Sequence, residues 1–169
     1  MIIHAGLIAR RVSGVWAGAL LEGPSGAGKS DLALRAVAEG FRLVADDRVV
    51  TFVSAGRLYG RAPDTLAGLI EVRGVGVLER EPLPFARVVL HIACGGDPAA
   101  VDRIPEPQAA RILGVAVPSL TLWPFERSAP AKIAAMLEQL GAGAQERYQA
   151  PFAPHGGRSG AKGSAVETL

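Results

Sequence analysis

Residues Gly23-Pro24-Ser25-Gly26-Ala27-Gly28-Lys29-Ser30 constrain this chain more than any other stretch, because they fit the pattern G-x-x-x-x-G-K-[ST]. The apolar run Ala17 to Leu21 precedes them and a helix-like run, Asp31 to Glu39, follows, so the loop is read as joining a strand to a helix. Glycines let the backbone fold around an anion so that successive N–H groups and the start of a helix point at it. Lys29 adds a mobile positive charge, and Ser30 a hydroxyl suited to Mg²⁺. These eight residues predict a nucleotide phosphate site. They do not say what is done with the phosphate.

The rest of the chain is read around that loop. Ile2 to Ala9 and Val15 to Glu22 predict two strands separated by Arg10-Arg11-Val12-Ser13-Gly14, which hangs the loop from the end of the second. Asp31 to Glu39 predicts a helix, and Gly40 supplies its stop. Phe41 to Ala45 is a short strand ending in Asp46-Asp47, and Val49 to Val53 with Arg57 to Arg61 reads as a hairpin around Ser54-Ala55-Gly56. Leu69 to Leu78 puts Glu71 and Arg73 on one face if it is extended. Val88 to Ala93 is another strand, followed by a loop from Gly95 to Pro107 that carries Asp102-Arg103. Ile112 to Val115 and Leu120 to Trp123 are short strands split by Pro118, and Ala131 to Leu140 is an amphipathic helix between Pro130 and Gly141. Residues 1–141 are expected to form one domain. The Gly, Ala, Ser, Pro and Gln-rich residues 142–169 are expected to be a disordered tail.

Composition removes several classes of function. The 169 residues are enough for a hydrophobic core without disulfide or metal staples, and the single Cys94, inside an apolar run, is expected to be buried packing. A net charge of +2, with no Lys/Arg cluster interleaved with aromatics, disfavours nucleic acid as a partner. No apolar run approaches the roughly 18 residues of a membrane span, and no signal peptide is read, so a cytoplasmic location without membrane contact is expected. The chain contains no asparagine, so it has no Asn-Lys-x-Asp guanine-reading motif and a Ras-like GTPase is disfavoured.

The remaining candidates each carry two readings. Asp46 and Asp47 at a strand tip after a phosphate loop are placed to manage Mg²⁺ or an attacking group, yet adjacent carboxylates also serve as solvated strand ends. Glu71 and Arg73 suit a site or a solvated sheet face, and His4 and Arg103 suit function or simple solvation. Trp123 and Phe125 beside Pro124 read as core packing rather than a stacking platform. From the residues alone the function is a phosphotransfer P-loop domain.

Four blocks then resemble, in order, the catalytic domain of the HPr kinase/phosphorylase family. They are His4 upstream of the loop, GPSGAGKSDLAL, GFRLVADDRV at Gly40 to Val49, and LIEVRGVGV at Leu69 to Val77. Asp102-Arg103 followed by ILGVAVPSLTL is similar to the family's later Asp/Glu-Arg loop and its Val-Pro-containing strand. The resemblance runs from about His4 to about Leu140, in the short form without an N-terminal domain. It implies an α/β P-loop kinase domain with a mixed, strand-rich sheet flanked by helices, like that of PEP carboxykinase. It also implies a hexameric homo-oligomer.

The implied activity is ATP-dependent phosphorylation of a serine on the phosphocarrier protein HPr. With it goes phosphorolysis of that phosphoserine to give pyrophosphate. In this resemblance Gly23 to Ser30 cradle the phosphates, Ser30 and Glu71 hold Mg²⁺, and Asp47 is the acid/base with Asp46 as its near partner. Arg103 stabilises charge on the transferring phosphoryl group, Arg73 supports the same site, and His4 orients Asp or phosphate. Pro124 to Ser128 departs from the family's dephosphorylation-linked loop, carrying Phe-Glu-Arg where the family has a basic-Gly-Arg pattern. A P-loop kinase acting on a small molecule and a nucleotide-sensing module without turnover are the alternative readings.

Overall fold

Two-residue turns ending in glycine organise the strands. Ser13-Gly14, Ala55-Gly56 and Leu113-Gly114 all have positive φ at both positions, the geometry whose twist matches paired strands, and each closes a hairpin. The computed structural model describes residues 1–96 and 104–141. Along the described chain come β1 (Ile2–Val12), β2 (Val15–Glu22), α1 (Lys29–Ala38), β3 (Arg42–Ala45), β4 (Arg48–Ser54) and β5 (Arg57–Arg61). After a 3₁₀ turn at Asp64–Leu66 follow β6 (Leu69–Val72), β7 (Gly76–Glu79), β8 (Ala86–Cys94), β9 (Gln108–Ile112), β10 (Val115–Leu122) and α2 (Ala129–Leu140). The architecture is α/β and strand-rich. No helix among the described residues is long and apolar enough to cross a membrane.

The main sheet is mixed. Strands β2, β8 and β10 run parallel, and the other pairings in it are antiparallel. β1 is shared: Ile2 to His4 pair with β4, Leu7 to Ala9 with β3, and its other edge with β2. The pairings β1–β2, β2–β8, β8–β5, β5–β4 and β4–β1 therefore form a closed ring of strands. Leu7, Val49, Leu58 and Val88 belong to the core on this side. On the other side of the sheet α1 buries Leu32, Ala33 and Ala36, and α2 buries Ile133, Met136 and Leu137. Each large side chain removed from water there contributes roughly 1.5–3 kcal/mol.

Three expectations are corrected. Leu69 to Leu78 is not one extended run: β6 and β7 pair as a hairpin, Leu69 opposite Glu79, and the Val75 amide donates to the Val72 carbonyl at 3.0 Å across the turn that carries Arg73. Ile112 to Val115 is a turn rather than a strand, since Leu113-Gly114 joins β9 to β10. Pro118 does not split two strands but lies inside β10, where it is tolerated because pairing with β8 begins only after it, at Ser119. The tail 142–169 and the Asp102-Arg103 pair lie outside the described residues.

Candidate functional site

The carboxyl ends of β2 and β3 and the amino end of β1 lie at one end of the sheet, because β1 is antiparallel to both and Ala5 stands opposite Glu22. The loop 23–28 leaves β2 there and turns into α1. Gly28, the residue before the helix, has φ +93, and no side chain caps the helix, so the first-turn amides are left for another acceptor. The helix dipole favours negative charge at that end. Lys29 is buried, and its Nζ donates to the carbonyls of Gly23 at 2.8 Å and Pro24 at 3.0 Å. The cation is thus folded over the loop that it would share with an anion.

The two aspartates at the end of β3 have different surroundings. Asp46 is buried, with Oδ1 accepting from the Ser30 hydroxyl at 2.8 Å and Oδ2 from the Glu71 amide at 3.2 Å. Burial pushes its carboxyl above the ordinary aspartate value, against the lowering effect of those two hydrogen bonds. Asp47 is exposed, has the left-handed φ of +64, and lies 3.0 Å from His4 Nε2 and 3.5 Å from Arg48 Nε. Asp tolerates this backbone better than most residues, and such strain collects at functional sites. The conformation turns the second carboxylate away from the core and leaves the first to hold Ser30 and the Glu71 amide of β6.

A cleft of about 360 Å³ brings these groups together. It is lined by Ser25, Gly26, Gly28, Lys29 and Ser30 of the loop, and by His4 and Asp47. Glu71 and Arg73 reach it from β6 and the following turn, with Asp31, Leu34, Val72 and Phe125 completing the wall. The expected His4, Lys29, Asp47, Glu71 and Arg73 therefore share one cavity, with Asp46 tied to it through Ser30. Arg103 lies outside the described residues. The oxygen donors of Ser30, Asp47 and Glu71 suit a hard cation that keeps waters and substrate phosphates in its shell. Among the described residues no cluster of three or more His, Cys, Asp or Glu forms an all-protein metal cage.

Two features of the site escape sequence reasoning. Phe125 stands in the cleft wall rather than in the core, and the only hint of that is its exposed setting between Pro124 and Glu126. Behind the loop, His91 of β8 bridges Glu22 of β2 at 3.1 Å and Ser119 of β10 at 2.8 Å. A histidine inside the apolar run Val88 to Cys94 is the signal, but its partners come from strands distant in the chain.

Comparison with known proteins points one way. Residues 2–83 match the family model described as the HPr Serine kinase C-terminal domain. The chain is 36% identical over 121 residues to HPr kinase/phosphorylase of Clostridium beijerinckii, covering 66% of this chain and 39% of that protein. It is 52% identical over 63 residues to HPr kinase/phosphorylase of Peptoclostridium acidaminophilum, covering 37% of this chain and 20% of that protein. It spans less than half the length of these curated relatives. The HPr(Ser) kinase/phosphatase structure from Coxiella burnetii shares the fold with a TM-score of 0.67 at 22% identity, over 82% of this chain and 89% of that one.

Proposed function

Because the chain is related, through residues 2–83, to the HPr serine kinase C-terminal domain family, we propose that it is a P-loop serine kinase that phosphorylates an HPr-like phosphocarrier protein from ATP. The observation that carries the reading is the shared cleft. An anion-binding loop at an uncapped helix start faces an exposed carboxylate paired with a histidine. In this reading the amides of Gly23 to Ser30 and the Lys29 ammonium hold the phosphates, so Lys29 exchanges the Gly23 and Pro24 carbonyls for phosphate oxygen. Asp47 accepts the proton of the attacking serine hydroxyl, and His4 holds that carboxylate in place. Asp46 keeps Ser30 and Glu71 in register, while Arg73, together with Arg103, offsets charge on the transferring phosphoryl group. Ser30 and Glu71 would hold Mg²⁺, which when bound neutralises phosphate charge.

The reverse direction follows from the same groups, since a protonated Asp47 returns its proton to serine as inorganic phosphate takes the phosphoryl group and leaves as pyrophosphate. A P-loop domain with a PEP carboxykinase-like sheet, spanning residues 1–141 and acting in the cytoplasm as a homo-oligomer, belongs to the same reading. Supporting self-association is a surface row of rings, in which exposed Phe52 stacks on half-buried Tyr59 at 5.6 Å and exposed Phe85 stands edge-on to Tyr59 at 6.2 Å.

The test incubates the purified chain with HPr and γ-labelled Mg-ATP, followed by a chase with inorganic phosphate. Label is expected on an HPr serine, with pyrophosphate released in the chase. Lys29→Ala should lower transfer by at least ~100-fold, and Asp47→Asn should lower it by ~10²–10⁴-fold while ATP still binds. ATP binding without label on HPr would move the assignment to a small-molecule kinase, and Asp47→Asn without effect would remove the acid/base role.

A further inference from the structure

Among the described residues, Phe125 is the one apolar aromatic side chain lining a mostly polar cleft. It keeps 52% of its surface exposed, yet it is not loose. Its ring lies against Gly28 so closely that a Cβ there would stand 2.7 Å from the Phe125 Cζ, and it meets the Trp123 ring edge-on at 6.0 Å. The backbone on both sides is clamped to α1. Arg35 donates through Nη2 to the Pro124 carbonyl and through Nη1 to the Glu126 carbonyl at 3.2 Å, while its Nε bonds Asp31 at 2.9 Å. Glu126 is further tied to Lys132 at 2.6 Å. The helix that begins at the phosphate loop therefore fixes an exposed aromatic ring over Gly28, the residue just before its own first turn.

The position of that ring divides the cleft. β2 pairs with β1 on one edge and with β8 on the other; β3 extends the first side and β10 the second. His4 and Asp47 flank the loop from the β1–β3 side, whereas Phe125 comes from the segment after β10. Eight lining side chains, among them Lys29, Arg73, Ser30, Asp47 and Glu71, are polar or charged, and the cations, hydroxyls and loop amides suit phosphates. Phe125 with Leu34 supplies apolar surface beside the helix. A nucleotide with its terminal phosphate toward Asp47 must direct its nucleoside away from that carboxylate, and a fixed aromatic face suits the flat base.

We propose that Phe125 is the stacking platform for the base of the nucleoside triphosphate, positioned by Arg35, an assignment that rests on the kinase reading above. Base–aromatic stacking is lost on truncation to alanine by an amount that sets the expected effect. The test measures binding of ATP and of inorganic tripolyphosphate, both with Mg²⁺, to the full chain and to Phe125→Ala and Phe125→Trp, each checked by thermal melting. Phe125→Ala should weaken ATP by about 5- to 100-fold and leave tripolyphosphate unchanged. Phe125→Trp should keep ATP affinity and gain a tryptophan quenching by ATP that tripolyphosphate does not produce. An unchanged ratio of ATP to tripolyphosphate affinity in Phe125→Ala overturns the proposal. So does a loss of phosphate transfer to HPr with ATP affinity intact, which would make Phe125 a contact for the protein substrate. If the unmodified chain binds neither ligand, the phosphate-loop reading itself fails and the platform with it.

Discussion

Cys94 ends β8 with its side chain packed beside Gly23, where the glycine-rich loop begins, and burial pushes its thiol up to about 12, with Lys29 pulling the other way. A raised folded value means the native state holds the proton more tightly than the unfolded one. The associated stability is whole below the ordinary value of 9.0 and is lost as pH rises toward about 12. In urea melts, the stability of the native chain relative to Cys94→Ala should fall by on the order of 1 kcal/mol per pH unit within that window and stay level below it. A flat difference would mean that the thiol ionises freely. Native Cys94 should also react with a thiol reagent at pH 8 far more slowly than the unfolded chain does. Its burial was legible, because an apolar run surrounds it. The separate surroundings of Asp46 and Asp47 were not, since adjacent identical residues part only when the backbone turns to φ +64 between core and cleft. Phe125 escaped for a related reason: Arg35, which holds its neighbours in the cleft wall, lies ninety residues earlier on another element.

The strands around Gly60 show what alternation in sequence leaves unsaid. β1, β2, β4, β5 and β8 are each recognisable from their apolar residues, but the ring they close depends on pairings between distant segments, with only Tyr59 and Gly60 of β5 meeting β8. Two glycines make the closure fit. At Gly18 a Cβ would stand 2.8 Å from the Arg87 carbonyl oxygen, and at Gly60 it would stand 2.6 Å from Leu7 Cδ2 and 2.9 Å from Val49 Cγ1. Gly60→Ala should therefore destabilise the chain by ~1–3 kcal/mol through overpacking, and adding Leu7→Val should recover part of that loss. Urea melts of the two single variants and the double variant measure the coupling, and strictly additive costs would place the clash elsewhere. The β6–β7 hairpin makes the complementary point. Its apolar alternation reads as one strand, and only the turn at Arg73 to Val75, which brings Glu71 and Arg73 to the cleft, reveals two.

At the scale of the whole molecule, two sets of buried side chains account for the described fold, one inside the strand ring and one beneath α1 and α2. The second reaches its last buried residue at Leu137, with Leu140 packed against it, and α2 ends at Gly141, whose amide donates to the Leu137 carbonyl at 2.8 Å. The last turn of α2 is therefore closed by a backbone hydrogen bond, and the large apolar residues of both helices pack into or against that core before residue 142. The composition change after Gly141 was legible in the sequence for the same reason that it matters here, since a segment poor in large apolar residues has little to add to either core. We propose that residues 1–141 constitute the folding and nucleotide-binding unit. A chain ending at Gly141 should melt cooperatively with a midpoint within ~4 °C of the full chain, a shift worth about 1 kcal/mol at this size. Its affinities for ATP and tripolyphosphate should match those of the full chain. A non-cooperative melt or weakened ATP binding would show that residues beyond Gly141 complete the core or the cleft, and would move the domain boundary into them.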